Sequence, residues 1–103
     1  MSRQTFSLRP FSEEKGCRPV AINGVIARQA TTLTLEYRLK GRLPAVAIAN
    51  PAPEPLRLDG LWQETCFECF IAWRNSPHYW EFNLSPAGHW NVYRFAAYRQ
   101  GMT

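Results

Sequence analysis

From Thr31 to Leu39 the chain alternates without a break. Leu33, Leu35, Tyr37 and Leu39 share one parity; Thr32, Thr34, Glu36 and Arg38 share the other. Successive side chains of an extended strand leave opposite faces, so this stretch predicts one apolar and one wet face. Shorter segments repeat the theme. Thr5 to Arg9 alternates around Phe6 and Leu8. Val20 to Ala27 is apolar but holds Asn23-Gly24, which predicts a turn, a bulge or a break. Ala45 to Ala49, Thr65 to Trp73, Tyr79 to Leu84 and Trp90 to Ala97 are further strand candidates. Ser85-Pro-Ala-Gly88 fits a type I turn, so residues 79–97 read as a hairpin. Only Tyr93 to Gln100 could be drawn as helix, and weakly.

About seven short antiparallel strands and few or no helices predict an all-β chain, a sandwich or an open barrel. The aromatic load, 4 Trp, 4 Tyr and 6 Phe in 103 residues, agrees, because aromatic rings favour strands. That length allows one domain spanning 1–103. Asn50-Pro-Ala-Pro-Glu-Pro55 cannot join a ladder, since proline has no N–H to donate, and it is expected to carry the chain from one sheet to another. The strand-rich second half looks short of a partner, so the sandwich is expected to be incomplete. In Thr65 to Trp73 nearly every residue but Glu68 is apolar, which predicts cover on both faces.

Composition excludes several functions. The longest uncharged apolar stretch, Leu43 to Pro53, is interrupted by prolines and too short for a membrane-spanning helix. The polar start has no apolar signal core, and three cysteines fit poorly with a disulfide framework, so a cytoplasmic location is expected. Residues 1–57 hold nine basic and four acidic residues, but the arginines are scattered singly. No nucleic-acid surface is expected from them.

Chemical motifs are sparse. Cys66-Phe-Glu-Cys69 is a C-x-x-C, but it lies in a strand candidate, where positions three apart face opposite ways. Cys17, His78 and His89 do not complete a zinc spacing, so buried structural thiols are expected. Neither histidine has a nucleophile at a recognisable spacing, and no enzyme is expected. Glu64 and Glu68 share strand parity. Glu68, among apolar neighbours, needs a partner, for which Arg94 is the candidate. The aromatic set is the strongest lead, because such rings stack on the C–H faces of sugars. By parity Trp80, Phe82 and Leu84 read as core, and Tyr79, Glu81 and Asn83 as wet. Trp62 follows Asp59-Gly60 in a loop and is the tryptophan expected to be most exposed.

The stretch Asp59-Gly-Leu-Trp-Gln-Glu-Thr-Cys-Phe-Glu-Cys-Phe-Ile71, followed by Tyr79-Trp-Glu-Phe-Asn-Leu-Ser-Pro-Ala-Gly88, resembles the DOMON-like proteins, relatives of family 9 carbohydrate-binding modules. Trp90-Asn-Val-Tyr-Arg-Phe95 and Tyr98-Arg-Gln-Gly-Met102 are similar to the bacterial branch. The resemblance implies an immunoglobulin-like β-sandwich, with this chain matching the N-terminal part of such a domain. It implies a ligand-binding, non-catalytic role, with a small carbohydrate as partner. Trp62 would stack on the sugar; Glu64, Glu81 and Asn83 would hydrogen-bond to it. The alternatives are an interaction module that forms a homodimer through an unpaired sheet edge, or haem binding. Haem-binding relatives use a methionine and a histidine. Here Met102 lies in the tail and neither histidine falls in a matching motif, so no cofactor is expected.

Overall fold

A computed structural model describes residues 2–10 and 20–103. The chain divides into two compact units, Met1–Val46 and Ala47–Thr103. Among the described residues the structure is all-β: six antiparallel strands in two three-stranded sheets, with two single-turn 3-10 helices and no α-helix.

The first unit holds β1 (Ser2–Ser7), β2 (Val20–Gln29) and β3 (Thr32–Gly41), ordered β1-β2-β3. The register aligns Phe6, Gly24 and Tyr37, then Ile26 with Leu35 and Ile22 with Leu39. One face is therefore aliphatic and aromatic at its centre, with Gln4, Ser2 and Arg28 toward one end. The other carries Thr5, Asn23, Thr34, Glu36 and Arg38, with Arg38 and Glu36 paired at 3.1 Å. The alternation of β3 is legible as expected.

Asn23-Gly24 does not turn or break the chain; β2 runs through it. A Cβ on Gly24 would collide with the Glu36 carbonyl and come within 2.6 Å of Phe6 Cζ. The ring of Phe6 occupies that space and meets Tyr37 edge-on at 5.7 Å. Here glycine serves close packing, not a bend. The turn lies at Ala30-Thr31, where Ala30 takes φ +53°.

Ala45 to Ala49 is not a strand, so the expected seventh element is absent. Pro44 instead sits in a 3-10 turn over Leu43–Ala45, where its fixed φ suits a helical start. Pro51 to Pro55 lies outside any strand, as its prolines require. It stays within the second unit, where the Ala52 N–H donates to the Ala87 carbonyl at 2.9 Å.

The second sheet comprises β4 (Phe67–Ala72), β5 (Tyr79–Leu84) and β6 (Trp90–Phe95), ordered β4-β5-β6. The expected hairpin forms. The Gly88 N–H donates to the Ser85 carbonyl at 2.9 Å, and Gly88 takes φ +99°. A glycine there follows the proline turn without a Cβ clash. Residues 96–103 are not helical. They fold back on β6, where Arg94 and Thr103 exchange two backbone hydrogen bonds of 3.0 Å.

Candidate functional site

The register divides the second sheet into two faces. Phe67, Cys69 and Ile71 align with Leu84, Phe82 and Trp80, and these with Trp90, Val92 and Arg94. Glu68, Phe70 and Ala72 align with Asn83, Glu81 and Tyr79, and these with Asn91, Tyr93 and Phe95. The second face is the more polar, yet it holds the most buried side chains. Asn83 is 0% exposed, and Asn91, Tyr93 and Phe95 are also buried. Trp80, Phe82 and Leu84 are only half-buried. The expectation that Asn83 and its companions are wet is therefore corrected.

A loop packs along the β6 side of this face. Leu56 to Leu58 runs parallel along β6. The Leu58 N–H donates to the Trp90 carbonyl at 3.0 Å, and the Trp90 N–H to the Leu56 carbonyl at 3.1 Å. His89 Nδ1 accepts the Leu56 N–H at 3.1 Å. Gly60 then takes φ +75°, a left-handed entry that glycine adopts without strain, into a 3-10 turn over Leu61–Gln63. That turn places Trp62 against Tyr93, ring centroids 5.6 Å apart and edge-on.

Asn91 ties the loop to the sheet. Its amide nitrogen donates to the Leu58 carbonyl and to Asp59 Oδ1, each at 2.9 Å. Its oxygen accepts from Arg57 Nε at 2.9 Å and from the Val92 N–H at 2.8 Å. The Tyr93 hydroxyl also donates to Asp59 Oδ1, at 2.9 Å. Burial, and then the Asp59 carboxylate, push the Tyr93 phenol pKa up, which keeps it a proton donor. A buried polar group is tolerated when its bonds are made, and here they are.

The four expected ligand residues are placed unequally. Trp62 is 47% exposed, a braced ring with an open side. Glu81 lies on the same sheet face, cross-strand from Tyr93, and is half-buried. Asn83 is sealed. With its amide nitrogen turned toward them, it donates to Glu81 Oε2 at 2.9 Å and to the Phe82 carbonyl at 3.3 Å. It orients Glu81 rather than facing solvent. Glu64 ends the 3-10 turn and lines a shallow polar depression of about 270 Å³ with Gly60, Gln63 and Ser85. Glu64 precedes β4, so the parity it was expected to share with Glu68 does not apply.

Arg94 lies on the opposite face from Glu68 and is not its partner. Glu68 keeps much of its surface open, and its pKa is raised by partial desolvation and then by the like charge of Glu81. The expected double cover of β4 fails too, since Phe70 is 56% exposed. Trp73 packs edge-on against Trp80 yet is 69% exposed, more than Trp62. Cys66 and Cys69 are half-buried free thiols, both pushed up in pKa by burial, which suppresses the thiolate. Cys17 lies outside the described residues. Among the described residues no three His, Cys, Asp or Glu side chains gather as metal ligands.

Sequence reasoning missed Asp59 and Asn91 and took Tyr93 only as one of the aromatic set; their roles depend on contacts across more than 30 residues of chain. Comparison with protein-family models, curated proteins and solved structures returned no match.

Proposed function

We propose that the chain is a non-catalytic, carbohydrate-binding all-β module of the DOMON-like kind, with Trp62 as its stacking platform. The observation that carries this reading is the pose of Trp62. A large aromatic ring is half open to solvent, yet fixed edge-on against a buried tyrosine. A ring held in place loses little freedom when a sugar settles on it. Glu64 beside the turn and Glu81 on the adjoining face supply carboxylate oxygens that accept sugar hydroxyls. Asn83 supports Glu81 from below. An immunoglobulin-like fold family and a cytoplasmic location belong to the same proposal. No described helix is long and apolar enough to cross a membrane.

The test is titration calorimetry with cellotriose, xylotriose, chitotriose and maltotriose. One of these is expected to bind, and Trp62→Ala is expected to abolish that heat while leaving the circular dichroism spectrum intact. Equal binding by the variant removes Trp62 from the site. Silence across the panel in the wild type removes the carbohydrate reading.

A further inference from the structure

Tyr93 contributes to the loop in two ways. Its ring braces Trp62 at 5.6 Å, and its hydroxyl bonds Asp59, one residue before the glycine that turns the chain toward Trp62. Asp59 Oδ1 accepts a second bond from Asn91, so loop and strand are joined at one oxygen. Asn91 Nδ2 also lies 3.1 Å from the Tyr93 hydroxyl, closing the triangle. Tyr93 is itself 7% exposed and cannot offer a ligand much surface.

We infer that Tyr93 is a positioning residue for the carbohydrate platform, acting on Trp62 through its ring and, through Asp59, on the turn that carries it. This rests on the carbohydrate reading above. A ring that only filled the core would act on stability alone. Here the hydroxyl sits where it fixes the pose of an exposed side chain. Its loss should therefore appear in affinity as well as in melting.

The experiment compares Tyr93→Phe with Tyr79→Phe in the full chain. Tyr79 is a control of the same chemistry: its hydroxyl accepts the Arg99 N–H at 2.9 Å, away from the Trp62 turn. Both proteins carry 5-fluorotryptophan, and the Trp62 resonance is assigned by its absence in Trp62→Phe. Whichever trisaccharide of the panel binds the wild type is the probe. Tyr93→Phe is expected to broaden or split the Trp62 resonance and weaken the probe about tenfold, the worth of one hydrogen bond. Tyr79→Phe is expected to leave both unchanged. An unmoved Trp62 resonance with wild-type affinity in Tyr93→Phe overturns the positioning role while the carbohydrate reading stands. No shift of the wild-type Trp62 resonance with any trisaccharide brings down the carbohydrate reading and the role with it.

Discussion

The two sheets are alike in size and opposite in how they bury side chains. In the first, Ile22, Ile26, Leu35 and Leu39 share a face and are half-buried, while Thr34, Glu36 and Arg38 on the other are exposed. In the second, the deepest side chains are two asparagines and a tyrosine, while Phe70 and Trp73 stand open. The difference lies in the loop. Residues 57–62 pack against Asn91 and Tyr93 and satisfy Asn91 bond by bond. A face is buried by what lies over it, and a face with hydrogen-bonding groups holds a polar loop more specifically than an oily one does.

That contrast can be broken experimentally. The largest effect is expected from Asn91→Ala, which leaves Asp59, Arg57 and the Leu58 carbonyl short of partners. Destabilisation of about 3 kcal/mol is expected in denaturant melts. Hydrogen exchange should speed up in β5 and β6 and hardly change in β2. Gly24→Ala is the mirror experiment. Its methyl must displace both the Phe6 ring and the Glu36 backbone, at about 2 kcal/mol or more. Exchange should then rise in β1 to β3 alone. If either variant loosens both sheets equally, the contrast between them does not extend to stability.

Smaller effects sharpen the comparison. Ala30→Gly relieves a left-handed alanine and is expected to stabilise the first sheet by about 0.5–1 kcal/mol, read as a raised urea midpoint. Glu68→Gln should give the least, a rise of about 1–2 °C in melting temperature at pH 7. Its sign follows from linkage. The folded pKa of Glu68 lies above its unfolded value, so the folded chain holds the proton longer, and stability falls as pH rises between the two. The gain from glutamine should therefore vanish in acid, below the unfolded pKa. A gain that persists there assigns the effect to something other than charge.

Much of this was legible in the sequence where local pattern decides. Tyr79–Leu84 has the bounds its alternation predicts, and Ser85 to Gly88 turns because proline and glycine leave little choice. Trp62 could be read as solvent-facing because Asp59-Gly60 signals a loop. What failed depended on distant partners. Asn23-Gly24 reads as a turn until Phe6 lies across it. Asn83 reads as wet by parity, yet it is buried with its amide turned onto Glu81. Ala45 to Ala49 reads as strand from apolarity alone, but the chain enters it through the Pro44 3-10 turn and no partner strand lines up beside it among the described residues.

Beside β6, Arg57 forms the last rung, and the chain that reaches it passes through Pro51, Pro53 and Pro55. Prolines have no donor to pass on. A second strand aligning along this border would find few donors in the proline-rich stretch that leads to Arg57, which makes it a poor template there. The same strap that ties down Asn91 thus gives β6 a neighbour poor in backbone donors.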